Sequence, residues 1–244
     1  AQAGRSAVAV DLPGFGEADD LADGAILPQL DRFVAALADA HGNGVGVVLV
    51  GNSLGGLAAL RAAGRGVPAL GVVTFSQPAC GDSWLIRRFL APRTSLIVRL
   101  LTLPVPVPRG LSAGLITVGA RAALGRRAQV HDPAAARRIG EYFGRRRGGH
   151  VWAVRTSRRL GLESVGCYEL DRVTCPVLVV HGQRDRIIPT NAARAVHAAL
   201  PDSTLVLRQR WGHCPQLQDP EGVAAMIVHF LDEDVSTTHG DRTG

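Results

Sequence analysis

The chain predicts an α/β fold, a mostly parallel sheet with helices on both faces, carrying a helical insertion. Three observations predict it. Short apolar runs alternate with helix-period segments toward both ends of the 244 residues, and such alternation builds a parallel sheet covered on both sides. Residues 45–50 (VGVVLV) are an unbroken apolar run, the pattern of a strand buried on both faces. Between about residues 82 and 167 the strand signals stop and arginine accumulates.

Taken in order, residues 6–12 (SAVAVDL) read as a first strand, ended by Pro13, Gly14 and Gly16. Leu30, Phe33, Val34 and Leu37 recur at helical spacing, and Gly42 and Gly44 stop that helix. After the strand at 45–50 come a small-residue helix at 54–63 and a strand at 70–75. Residues 177–180 (VLVV) form the next strand, followed by a helix at 191–200, a strand at 205–207 and an amphipathic helix at 223–231. Residues 1–81 and 168–234 are expected to make the sheet-containing core. Residues 82–167 are expected to form the insertion, with helices near 84–101, 111–124, 133–146 and 152–160. Residues 235–244 are polar and expected to be a disordered tail.

Composition excludes several classes. With 46% hydrophobic and 20% charged residues, the chain has the apolar content for a sizeable core and not the profile of a disordered protein. The greasiest region, residues 96–124, is broken by Arg99, Arg109 and Arg121 and by Pro104, Pro106 and Pro108, which argues against a membrane-spanning helix. All 27 basic residues are arginine, and 17 of them lie between Gly81 and Arg172 against 6 acidic residues. That field suits a solvated helical surface first and an anionic substrate or lipid surface second. No recognition motif or aromatic platform accompanies it, so nucleic acid is not an expected partner. Cys80, Cys167, Cys175 and Cys214 show neither a C-x-x-C pair nor zinc-like spacing. They predict a reduced, cytoplasmic protein, with Cys175 as a small buried hydrophobe.

Gly51-Asn52-Ser53-Leu54-Gly55, followed by Gly56, matches G-x-S-x-G. Five residues alone carry little specificity. Their context carries more, because they sit between a buried-looking strand and a helix, where a nucleophile elbow has to sit. Side chains at Gly51 or Gly55 are expected to collide with the strained turn. The Leu54 amide would open the helix, ready to donate to a developing oxyanion. A serine hydroxyl needs an adjacent base. His213, in the loop after the last strand, fits. His41 ends a helix, His197 and His229 lie inside helices, His131 and His150 fall in the insertion, and His239 is in the tail. His181, at a strand end, reads as structural. Asp185, after the penultimate strand, can orient the His213 imidazole, and Thr190 is the better candidate for capping the helix that follows.

The order Ser53, Asp185, His213 is the nucleophile–acid–base order of the α/β-hydrolases, and the chain resembles that superfamily in its esterase-like branch with a cap. Asp11-Leu12-Pro13-Gly14-Phe15-Gly16 resembles the family's turn after its fourth strand, residues 50–56 the elbow, residues 181–189 the acid loop, and Gly212-His213 the base loop. The resemblance implies a serine hydrolase acting on a carboxylic ester with an apolar acyl part, through an acyl-enzyme. It implies no metal and no organic cofactor, and leaves oligomeric state open. A cleft between elbow and insertion, lined by Trp84 and Trp152, would take the substrate. A carbon–carbon bond hydrolase or perhydrolase would use the same triad, and a non-catalytic binding protein can stand on the same fold.

One element of the resemblance is missing. The family carries a His-Gly loop after its third strand, whose amide is the second oxyanion donor, and here the sequence begins where the fourth strand does. The third strand would lie between residues 6–12 and 45–50. Without it, 6–12 has to stand apart or shift sideways. The sequence thus reads as a fragment, expected to be weakly stable and nearly inactive until roughly 40 to 60 upstream residues are restored.

Overall fold

The computed structural model describes residues 4–80, 107–145, 149–164, 166 and 169–235. Among these, four strands form one sheet: β1 (Val47–Asn52), β2 (Ala69–Phe75), β3 (Val177–Gly182) and β4 (Ser203–Arg208). Their spatial order is β1-β2-β3-β4 and every pairing is parallel. Helix α1 (Leu27–His41) precedes β1, α2 (Leu54–Gly64) joins β1 to β2, α6 (Thr190–Ala199) joins β3 to β4, and α7 (Pro220–Phe230) follows β4. Between β2 and β3 lie α3 (Arg109–His131), α4 (Ala135–Arg145) and α5 (Gly149–Glu163).

Alternation along the central strands divides the core in two, because successive side chains point to opposite faces. Val72, Val177 and Val179 pack with Leu30 and Val34 of α1, Leu57 and Leu60 of α2, and Ala193 and Val196 of α6. Val73, Phe75, Leu178 and Val180 pack on the other face with Trp211, Val223, Phe230 and Val235. Helices therefore cover both faces, as the sequence predicts. Gly71 permits the second core: a Cβ there would lie 2.9 Å from Val235 Cγ2 and 3.0 Å from Phe230 Cε1. Val235 is thus buried, and it belongs to the core rather than to the expected tail. Residues 236–244 and the expected helix at 84–101 lie outside the described residues.

Residues 6–12 form no strand, unlike their alternation, and stand apart, one of the two outcomes expected of them: they join no ladder, and Val8 and Val10 are 62% and 46% exposed. Apolar alternation favours a strand only where a neighbour supplies the other half of the hydrogen bonds. The run at 45–50 is likewise less buried than it reads. Its strand, β1, pairs with β2 on one side, and Val45 and Val50 are 63% and 50% exposed. Thr190 does not cap α6, whose N-cap is Pro189. Cys175 is buried in the first core as expected. Cys80 is disulfide-bonded, which corrects the expectation of an all-thiol chain, and its amide donates to Gly166 O at 3.1 Å.

The helices between β2 and β3 pack closely on one another and tie back to the sheet-bearing part. An added Cβ on Gly140 or Gly144 of α4 would meet Thr117 or Ala113 of α3 within 2.6 Å, so glycine lets these helices approach. Glu163 at the end of α5 accepts from the amides of Ile26 (2.8 Å) and Leu27 (2.8 Å). That carboxylate satisfies the orphan amides of α1, which has no side-chain cap of its own.

Candidate functional site

β1 delivers Ser53. The strand ends at Asn52 and α2 begins at Leu54, so one residue turns the chain, with φ 52° and ψ −114°. A side chain held in such a sparsely populated conformation costs on the order of 1–3 kcal/mol and persists only where its surroundings over-determine it. Here they do: Ser53 N–H donates to Phe75 O at 2.8 Å, and Ser53 O accepts from Leu57 N–H at 3.0 Å. A Cβ on Gly51 would lie 2.2 Å from the carbonyl carbon of Gly55, so glycine is required there. Gly55 has open space instead, which corrects the expected collision. The second close approach falls at Gly56, whose Cβ would sit 3.0 Å from Gln77 Cβ and from Gly51 O. Leu54 N–H opens α2 and has no carbonyl partner within its own helix.

Asp185 stands in the turn after β3. Its Oδ1 accepts from the amides of Ile187 (2.8 Å) and Ile188 (3.0 Å), and its Oδ2 accepts from His213 Nδ1 at 2.9 Å. The Asp185 side chain is 1% exposed and that of His213 10%. Burial alone would raise the Asp185 carboxyl. The hydrogen bond and charge of His213, with the two amides, outweigh burial and hold it below its ordinary 3.8. A carboxylate can only accept, so His213 Nδ1 carries the hydrogen and Nε2 is left as the basic atom.

Backbone contacts fix the loops around this pair. Gln183 N–H donates to Arg208 O and Arg184 N–H to Trp211 O, both at 2.9 Å, which binds the acid turn to the loop carrying His213. Gly182 lets that loop approach, since a Cβ there would lie 2.4 Å from Trp211 O. Gly212 N–H donates to Gln218 Oε1 at 2.7 Å, while Gln218 Nε2 donates to Leu124 O of α3 at 2.9 Å. Among the described residues no hydrogen bond joins Ser53 to His213. The link runs one residue away, where Asn52 Nδ2 donates to His213 O at 2.8 Å.

The structure thus brings Asp185 and His213 into contact and sets their loop against the residue beside Ser53. His181 is buried, as a structural histidine should be, but it also adjoins the acid. Its Nε2 donates to Ile188 O at 2.9 Å and lies 3.7 Å from Asp185 Oδ2. Burial pushes this imidazole below its ordinary 6.5, against the upward pull of Ile188 O and Asp185. Burial also pushes the Cys214 thiol up to about 11, so this neighbour of His213 is no competing thiolate nucleophile. A cleft of about 410 Å³ opens beside Ser53, with Leu12, Phe15, Leu49 and Leu54 in its wall. Trp152 stands behind that wall, edge-on to Phe15 at 5.8 Å and 5.5 Å from Phe143. Trp84 lies outside the described residues.

Among the described residues no group of three His, Cys, Asp or Glu is placed to hold a metal ion. No helix among them is long and apolar enough to cross a membrane. Asn52 and Gln218 are not among the residues the sequence singles out. For Asn52 one signal was present, a lone side-chain amide closing an otherwise apolar strand.

A family model described as the alpha/beta hydrolase family matches residues 1–226. Among curated proteins, "Putative carbamate hydrolase RutD" of Escherichia coli O1:K1 / APEC is 34% identical over 64 residues, 26% of this chain and 24% of that protein. The chain therefore matches about a quarter of the length of such relatives. Among solved structures, a thermophilic esterase from Thermogutta terrifontis superposes with a TM-score of 0.67 at 24% identity, covering 91% of this chain and 78% of that one. The esterase RhEst1 from Rhodococcus sp. ECU1013 gives 0.64 at 19% identity, covering 92% and 79%. At these identities the structures establish a shared fold. With its parallel sheet, its strained strand-to-helix turn and a family match reaching past His213, this chain belongs to the alpha/beta hydrolase family.

Proposed function

We propose that the protein is a serine hydrolase that cleaves a carboxylic ester through an acyl-enzyme. The observation that carries this reading is the buried Asp185–His213 hydrogen bond at 2.9 Å, on a loop fastened to the residue preceding the strained Ser53. Asp185, kept ionised, fixes the tautomer and stabilises the imidazolium. His213 Nε2 takes the proton as Ser53 Oγ attacks the ester carbonyl. The Leu54 amide, at the positive end of α2, faces the oxyanion. Collapse of the tetrahedral adduct breaks the acyl–oxygen bond, and the imidazolium returns the proton to the departing alcohol. Water, deprotonated by the same nitrogen, then hydrolyses the acyl-enzyme and frees Ser53. The missing Ser53–His213 hydrogen bond accords with this, because catalytic hydrogen bonds are often long until substrate draws the groups together.

The apolar wall beside Ser53 supports an ester with an apolar acyl part. Helices α3–α5, read as a cap, would bound the far side of the site. In this reading Phe15 touches substrate, and Trp152 acts through Phe15. A fluorophosphonate should label the full-length protein at one residue, and Ser53→Ala should abolish the labelling. Labelling that survives in the variant would remove Ser53 from this role.

A further inference from the structure

Asn52 occupies the variable position of the G-x-S-x-G turn, and its side-chain amide is fully used. Nδ2 donates to Phe75 O at 3.0 Å and to His213 O at 2.8 Å. Oδ1 accepts from Gln216 Nε2 at 3.3 Å and faces the Cys214 Sγ–H at 3.6 Å. A side-chain amide has two N–H donors and two acceptor positions on its oxygen, and here all four are engaged. Three of the four partners belong to residues 213–216. Turning the amide over would set its oxygen against two carbonyls and its NH2 against the NH2 of Gln216, so the network admits one orientation.

Phe75 O is shared, since it also accepts from Ser53 N–H at 2.8 Å. One carbonyl at the end of β2 therefore holds both the serine's backbone and the Asn52 side chain, while that side chain holds the carbonyl of the histidine. Asp185 holds the same residue by its ring Nδ1, whereas Asn52 holds it by its backbone carbonyl.

We infer that Asn52 is a positioning residue that sets the distance between His213 and Ser53 through its amide bridge from Phe75 O to His213 O. This rests on the serine-hydrolase reading above. Aspartate at this position has nearly the same shape and keeps the acceptor contacts, but turns both donor contacts into oxygen–oxygen repulsion. Alanine removes all four. Misplacing a reacting group by about 1 Å can cost about 10²-fold in rate.

The test compares wild type, Asn52→Ala and Asn52→Asp, each as the full-length protein, in three measurements: the rate of fluorophosphonate labelling, kcat and KM on p-nitrophenyl butyrate, and amide hydrogen exchange across residues 212–218. Both variants are expected to label about 10- to 100-fold more slowly, with kcat lowered, KM little changed and faster exchange at 212–218. Asn52→Asp should be at least as slow as Asn52→Ala. A residue that merely filled space would show the reverse order. Wild-type labelling together with wild-type exchange in either folded variant overturns the inference. If wild type itself fails to label at Ser53, the ester-hydrolase reading falls, and exchange at 212–218 alone decides whether Asn52 holds the loop. Should neither Asn52 variant fold, Asn52→Ser carries the test: a hydroxyl has one donor and cannot bridge both carbonyls, and a labelling rate and loop exchange both equal to wild type would then overturn the inference.

Discussion

At the scale of single residues, His181 couples the acid's turn to pH. In the unfolded chain an imidazole takes its proton near 6.5, and in the folded protein burial lowers that value. Between the two values the unfolded state binds more protons. The histidine's contribution is therefore fully present above about 6.5 and declines as pH falls through that range toward the folded value. Asp185 acts lower. Held below 3.8, it contributes above that value and loses its contribution as pH falls through the folded one. The urea midpoint should accordingly decrease between about pH 7 and pH 5. His181→Gln keeps an N–H for Ile188 O but does not titrate, so it should make that decrease shallower. An equal decrease in the variant would assign the pH dependence to other groups.

At the scale of elements, α1 and α2 are joined by a buried ion pair. Arg61 Nε and Nη2 donate to Asp31 Oδ1 and Oδ2 at 2.9 and 2.7 Å, and Arg65 adds an Nη1 contact to Asp31 at 3.0 Å. The Arg61 side chain is 4% exposed. Asp31→Ala would remove this bidentate contact from a buried guanidinium, and should lower unfolding free energy by about 3–5 kcal/mol. Denaturant titration of Asp31→Ala beside Asp31→Leu/Arg61→Leu checks it. If the double variant is no more stable than the single, the loss comes from packing rather than from the broken ion pair. This pair also shows where the sequence falls silent. Thirty residues separate its members, and nothing local marks them as partners. Helices and central strands were legible because periodicity and glycine stops are local. Residues 6–12 were legible only in part: their alternation reads as a strand, but a strand is completed by a neighbour that the segment itself does not encode. Ser53, Asp185 and His213 stood out through strand-end context, whereas Asn52 and Gln218 act through backbone groups that only the fold brings near.

At the scale of the whole molecule, helices α3–α5 reach the sheet-bearing part through a few separate ties. Tyr142 OH donates to Gly14 O at 3.3 Å, Gln218 spans from Gly212 to Leu124 O, and Glu163 caps α1. Phe15 and Trp152 add an aromatic contact beside the cleft. Among the described residues, the two cores on the sheet faces draw on α1, α2, α6 and α7, with partly buried Leu160 of α5 against the first, while a small separate cluster of Leu124, Ala135 and Ala136 packs with Cys214 and Leu217. This separation argues that the α3–α5 segment can open while the sheet stays closed, as units of different local stability do. Glu163→Ala tests it at one tie. Loss of a capping carboxylate costs about 0.5–2 kcal/mol, too little to unfold a domain but enough to bias a local opening. Amide exchange should accelerate at the start of α1 and along α5, while the amides of β2 and β3 keep their protection. Exchange that rises equally across the sheet would mean that the helical segment and the sheet open as one unit.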